Sequence, residues 1–130
     1  MTQEITISFL KALSERNLKA ITALFADKVD WYIPGNEILA PWLGKRETRE
    51  EVKAFFELLW ENTQPLAANI DNIFVEGNEA IIAGSFTSKM LKTDAVCESL
   101  FFIHLRIEHN LIVRYRLLED TYEVVKALSR

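Results

Sequence analysis

Near its C-terminal end the chain reads "LIVRYRLLEDTYEVVKAL", and within it Tyr115 and Glu119 lie four residues apart. In an extended strand, residues an even number apart share a face. A phenol and a carboxyl on one inward face can between them hold a carbonyl or hydroxyl group and move a proton. The carboxyl would act near neutral pH only where burial lifts its pKa. The same acid also suits a salt bridge to a Lys or Arg, or simple exposure at a strand-to-helix junction. Tyr115 equally suits a core position with its hydroxyl satisfied locally. Both readings stand at this level.

The other chemistry-bearing residues point to less. The only cysteine, Cys97, has Glu98 beside it and nothing basic to form a thiolate, so it reads as a buried structural thiol. His104 and His109 are five apart across a strand end and a turn, which is not a metal-site spacing, and no metal is expected. There is no Gly-rich phosphate loop, no Ser-His-Asp order and no nucleotide fingerprint, so no cofactor is expected. Asp120 before Thr121 reads as a helix cap. The aromatic residues Trp31, Trp42, Phe55, Phe56, Trp60 and Phe101 are core by their spacing, and they are candidate walls of an apolar pocket. Tyr32 and Glu37 fall where a pocket mouth would contact a polar ligand group, or where a loop is merely exposed.

These residues need elements to position them. Phe9, Leu10 and Leu13 make a short apolar stripe. Asn17 can cap a second helix with apolar positions Leu18, Ile21, Leu24 and Phe25. "DWYIPG" reads as a short strand with Trp31 and Ile33 on one side, ended by Pro34 and Gly35. "NEILAPWLGK" reads as a loop with Gly44 as a turn. Thr48 and Glu51 form a capping box for a helix that buries Val52, Phe55, Phe56, Leu59 and Trp60. Four strands follow, joined by turns at Gly77-Asn78, at residues 92–95 and at His109-Asn110. A last helix buries Val124, Val125 and Leu128.

Alternation assigns faces. From Cys97 to Ile107 the odd residues are the more apolar set and point inward. Glu98, Leu100, Phe102, His104, Arg106 and Glu108 point outward. A half-apolar outer face predicts contact with a second subunit. In the last strand Val113, Tyr115, Leu117 and Glu119 are predicted inward, and Ile112, Arg114, Arg116 and Leu118 outward. Consecutive hairpin-joined strands with helices on one side predict an α+β domain with a mostly antiparallel sheet.

Bulk properties bound the function. One domain over residues 1–130 can hold a real core. The net charge of -4, without a basic block, disfavours nucleic acid and anionic membranes as partners. No apolar run is long enough to span a bilayer. The N-terminus does not read as a signal peptide, and the single cysteine makes the cytoplasm the expected compartment.

Three stretches, "NLKAITALFADKVDWYIPG", "LGKRETREEVKAFF" and "NLIVRYRLLEDTYEVVKAL", resemble the nuclear transport factor 2-like superfamily, in its SnoaL-like, ketosteroid isomerase-related branch. The resemblance implies a cone-shaped α+β barrel, a strongly curved sheet wrapped on three helices around a deep apolar pocket. It implies a homodimer packed through the outer face of the sheet, and a small apolar ligand. Its activities include isomerisation, polyketide ring closure, epoxide hydrolysis and dehydration, and many members are not enzymes.

Carried over residue by residue, the acid positions of the steroid isomerases fall on Ile33 and Ile103, and their first-helix tyrosine has no counterpart. The epoxide-hydrolase aspartate falls on Leu117. These three would then be apolar pocket wall, and Glu119, assisted by Tyr115, is the remaining candidate for proton transfer. The expectation is a pocket protein with isomerase, cyclase or dehydratase chemistry, or a non-catalytic ligand-binding or dimerising module of the same fold.

Overall fold

The computed structural model describes residues 1–129. Four helices and six strands are found among them: α1 (Thr2–Ser14), α2 (Leu18–Ala23), β1 (Phe25–Ile33), β2 (Gly44–Thr48), α3 (Arg49–Asn62), β3 (Thr63–Glu76), β4 (Glu79–Met90), β5 (Ala95–Glu108), β6 (Leu111–Glu119) and α4 (Thr121–Leu128). The strands form one sheet in the order β2-β1-β6-β5-β4-β3. Only the β1–β6 pair is parallel. The expected α+β class with a mostly antiparallel curved sheet is therefore the observed one.

Local chemistry accounts for the helix starts. The Asn17 side chain accepts a hydrogen bond from the Ala20 amide at 3.0 Å. Thr48 Oγ1 accepts from the Glu51 amide, and Glu51 Oε1 accepts in return from the amides of Glu47 and Thr48. Asp120 accepts from the Glu123 amide, so it is the α4 cap. Each satisfies a backbone donor that a helix N-terminus leaves free. The tight turns are equally local. Gly77, Asp94, His109 and Asn110 all have positive φ, and the last two together suit a two-residue hairpin.

Four expectations change. Residues 44–48 are a strand, so Gly44 and Lys45, read as the end of a loop with a turn at Gly44, open β2 instead. β2 pairs antiparallel with β1, Trp31 opposite Arg46 and Ile33 opposite Gly44. "GKRET" carries no apolar alternation because this edge strand is held by backbone pairing. Phe25 opens β1 rather than ending α2, and it is fully buried either way. Ile112, assigned outward, is fully buried. The β5–β6 register passes from Arg106 opposite Arg114 to Ile107 opposite Ile112, which leaves Val113 as an extra residue. Such a bulge reverses the alternation on either side of it. In α4, Ala127 is buried where Val125 had been expected, and Val125 is half-buried.

The core lies between the concave face of the sheet and α1, α2 and α3. Phe9, Ile21, Phe25, Trp31, Val52, Phe55 and Phe56 are at most 1% exposed. Curvature has an identifiable device at Gly84 in β4. Ile70 and Phe101 are its partners on the two sides, and β3 shifts register just past Ile70. A Cβ at Gly84 would collide with the Asn69 carbonyl oxygen and stand 2.9 Å from the Phe101 ring. The bare backbone lets the sheet fold sharply and lets Phe101 lie across it.

Candidate functional site

The sheet and helices line an apolar, half-open cavity of about 530 Å³. Helices α1 and α3 supply Leu10, Leu13, Phe55, Phe56, Leu59 and Trp60. β5 and β6 supply Phe101, Ile103, Tyr115, Leu117 and Glu119. Ile33 and the loop residues Trp42 and Leu43 close one side, and Leu66, Ala68 and Ile70 of β3 another. The volume falls in the range of small-molecule sites.

Of the aromatic and aliphatic residues singled out from the sequence, Ile33, Trp42, Phe55, Phe56, Trp60, Phe101, Ile103 and Leu117 lie on this cavity. Trp31 does not. It is packed behind the wall, stacked on Tyr115 with ring centroids 3.9 Å apart and edge-on to Phe55 at 4.8 Å. Tyr32 lies on the opposite face of the sheet, paired with Lys45 and Arg116. Glu37 is exposed, and its carboxylate lies over Gly44. Gly44 has φ +102, and a Cβ there would stand 2.6 Å from a Glu37 carboxylate oxygen. Hence glycine is required at the start of β2 for both reasons.

Glu119 and Tyr115 both reach the cavity, and β6 positions them. Past the bulge, Tyr115 stands opposite Leu105, Leu117 opposite Ile103 and Glu119 opposite Phe101, all on the concave face. Among the described residues the Glu119 carboxyl has no hydrogen-bond or ion-pair partner. Glu119 is half-buried, and desolvation against these apolar walls raises its pKa from 4.5 to about 7. Tyr115 is 2% exposed and its hydroxyl has no partner among the described residues. Its pKa is also raised, first by burial and then by the Glu119 charge, so it stays a neutral donor. Trp31, Phe9 and Phe25 clamp its ring. Four residues along a strand separate the two Cα atoms by about 13 Å, so the two side chains would meet different parts of one ligand.

Cys97 is fully buried on the inner face of β5 and does not line the cavity. Burial, then the charges of Glu119, Glu123, Asp120 and Glu98, push its thiol up to about 11. That leaves it inert as a nucleophile at neutral pH. No cluster of metal-ligating side chains is found among the described residues.

Sequence patterning missed Arg16, which also lines the cavity. It lies in the break between α1 and α2 with φ +49. Its Nη1 donates to the carbonyl oxygens of Trp60 at 3.1 Å and Thr63 at 3.0 Å, and its Nη2 to Thr63 Oγ1 at 3.0 Å. The guanidinium lies 5.8 Å from the Trp60 ring centroid. No periodic signal marks a residue between two helices, and only its tertiary contacts reveal it.

Comparisons with known proteins agree with this fold. The family model described as "SnoaL-like domain" matches residues 7–115. Among solved structures, a candidate isomerase from Rhodopseudomonas palustris is similar with a TM-score of 0.89 at 18% identity, covering 100% of each chain. An NTF2-like protein of unknown function from Burkholderia pseudomallei is similar with a TM-score of 0.89 at 18% identity, over 99% of this chain and 98% of that one. A candidate SnoaL-like polyketide cyclase from Mesorhizobium loti reaches a TM-score of 0.74 at 14% identity, over 90% of this chain and 97% of that one. Identities this low establish a shared fold. A comparison with curated proteins gives no match.

Proposed function

Because the chain belongs to the SnoaL-like domain family of the NTF2-like superfamily, we propose that its cone takes up a small, largely apolar molecule and that Glu119 moves a proton on it. The observation that carries this reading is the Glu119 carboxyl, unpartnered among the described residues on an apolar wall, with its pKa raised to about 7. Near neutral pH such a group is present in both forms. As carboxylate it can take a proton from an acidified carbon, and as carboxylic acid it can return one to another position. The Tyr115 hydroxyl, neutral and held rigid, donates a hydrogen bond to a carbonyl or hydroxyl oxygen elsewhere on the ligand. Isomerisation, ring closure and dehydration all need this pair of roles.

A second reading is a non-catalytic binding module of the same fold. It is favoured by Ile33, Ile103 and Leu117, which present only hydrocarbon to the cavity and leave Glu119 without a second acid. The two readings separate by assay. Unsaturated cyclic ketones can be screened by the absorbance change that accompanies double-bond migration, followed by Glu119→Gln. The catalytic reading expects the rate to rise with pH through about 7 as the base ionises, and to collapse in the Gln variant. Unchanged turnover in Glu119→Gln on every accepted substrate excludes Glu119 as the catalytic group.

The proposal extends to assembly and location. The convex face of the sheet exposes Phe74, Leu100, Phe102 and Leu118, each more than half accessible. An apolar patch of this kind supports a homodimer formed through the outer sheet face. No helix among the described residues is long and apolar enough to cross a membrane. With its one thiol buried and unpaired, the protein is suited to the cytoplasm.

A further inference from the structure

Arg16 combines four features that a purely structural arginine does not need together. It lines the cavity. It occupies a left-handed backbone conformation that glycine adopts at less cost. It is half-buried, and burial alone lowers its pKa, with no carboxylate acting on it. No acidic side chain pairs with it among the described residues. Of the five N–H groups of a guanidinium, three are used on Trp60 and Thr63, so the Nε–H and one Nη2–H remain unpartnered. A positive charge partly withdrawn from water with no counter-ion leaves donors free for an anionic group on a ligand.

We infer that Arg16 is a ligand-recognition residue, and that the cavity takes a molecule with an apolar body and an anionic group, a carboxylate or an acidic enolate, that pairs with the Arg16 guanidinium. This deepens, and rests on, the reading of the cavity as a small-molecule site. The three hydrogen bonds fix the guanidinium plane, so its remaining donors present a preformed fork to a planar oxyanion. Trp60 beneath Arg16 offers a flat ring on which the body of the same ligand can lie. Glu119 belongs to β6 and Thr63 to β3, with β5 and β4 between them. A ligand that meets both must therefore span on the order of 10 Å. The anionic end and the proton-transfer end are then distinct parts of one molecule, and Glu119 does not neutralise Arg16 in the empty site.

The competing role is a staple. Arg16 caps carbonyl groups at the end of α3, where a cation is favourable in any case. A matched pair of probes distinguishes the two: 2-naphthoate and 2-naphthamide, which share a ring system and differ in charge. Binding is followed by tryptophan fluorescence and calorimetry at pH 6, where Glu119 is mostly protonated. Wild type should bind the carboxylate about tenfold more tightly than the amide, as charge-assisted hydrogen bonding predicts. That preference should shrink as salt is added. Arg16→Gln should lose the preference and keep its amide affinity within about threefold, and Arg16→Lys should retain part of it. Equal binding of both probes by wild type, or a preference that survives in Arg16→Gln, overturns the inference while leaving a cavity that binds. Failure of both probes at millimolar concentration overturns the inference together with the small-molecule reading. The wild-type preference and its salt dependence decide the matter even where Arg16→Gln fails to fold.

Discussion

Replacing Glu119 with glutamine should make the protein more stable at alkaline pH and leave it nearly unchanged in acid. Folding raises the Glu119 pKa from 4.5 to about 7. At 1.36 kcal/mol per unit the shift corresponds to about 3 kcal/mol. The sign follows from proton binding. Below pH 4.5 the carboxyl is protonated in both states, and its burial carries no charge penalty. Between 4.5 and 7 the unfolded chain gives up its proton while the native state keeps it, so stability falls as pH rises. Above 7 both states are ionised and the full penalty is present. Glutamine has nearly the same shape and no charge at any pH. Urea or thermal unfolding of wild type and Glu119→Gln at pH 5 and pH 8.5 measures the difference directly. The two should agree within about 1 kcal/mol at pH 5. At pH 8.5 the variant should lead by up to about 3 kcal/mol, or about 10 °C in Tm. Water entering through the mouth lowers that ceiling, and a lead of about 1 kcal/mol confined to high pH is the smallest result a desolvated carboxylate gives. A difference of equal size at both pH values, or a variant less stable at pH 8.5, would refute a desolvated, unpartnered carboxylate.

Gly84→Ala should destabilise the fold by about 2–3 kcal/mol in chemical denaturation, because its Cβ has no room between the Asn69 carbonyl oxygen and the Phe101 ring; a loss below about 0.5 kcal/mol would show that the sheet relaxes freely there. Thr48→Ala should cost about 1 kcal/mol by removing the acceptor of the Glu51 amide, and an unchanged urea midpoint would contradict the capping role. Phe102→Glu on the convex face should shift a dimer towards monomer in sedimentation velocity, and a monomeric wild type at micromolar concentration would end the dimer proposal. Cys97 should resist an aromatic disulfide reagent at pH 8 until the protein unfolds, since its thiol is buried and its pKa is pushed to about 11; rapid modification of the native protein would count against that placement.

Much of the fold was legible because the signals are local. The capping box at Thr48 and Glu51, the Asn17 and Asp120 caps and the turns at Gly77 and His109-Asn110 depend on residues within a few positions of each other. The inward row of β5 followed from strict alternation, because no bulge interrupts its pairing with β4. Alternation also placed Tyr115, Leu117 and Glu119 on the concave face, since all three lie on the same side of the bulge at Val113. Ile112 lies beyond that bulge, and its burial was lost to the same rule.

What the sequence determined by itself was the kind of molecule: an α+β chain with an apolar inner surface and one acid directed at it. Periodicity and capping chemistry are properties of neighbouring residues, so they survive without a structure. Tertiary structure alone decided the rest. It made residues 44–48 an edge strand through backbone pairing that no side chain announces. It withdrew Trp31 behind Tyr115, because two rings on the same inward side stack rather than share the wall. It raised the Glu119 pKa, because desolvation depends on what surrounds a carboxyl in space. It also brought Arg16 to Trp60 and Thr63, more than 40 residues away in the chain. Such contacts depend on how separate elements close upon one another, and no local pattern encodes that closure.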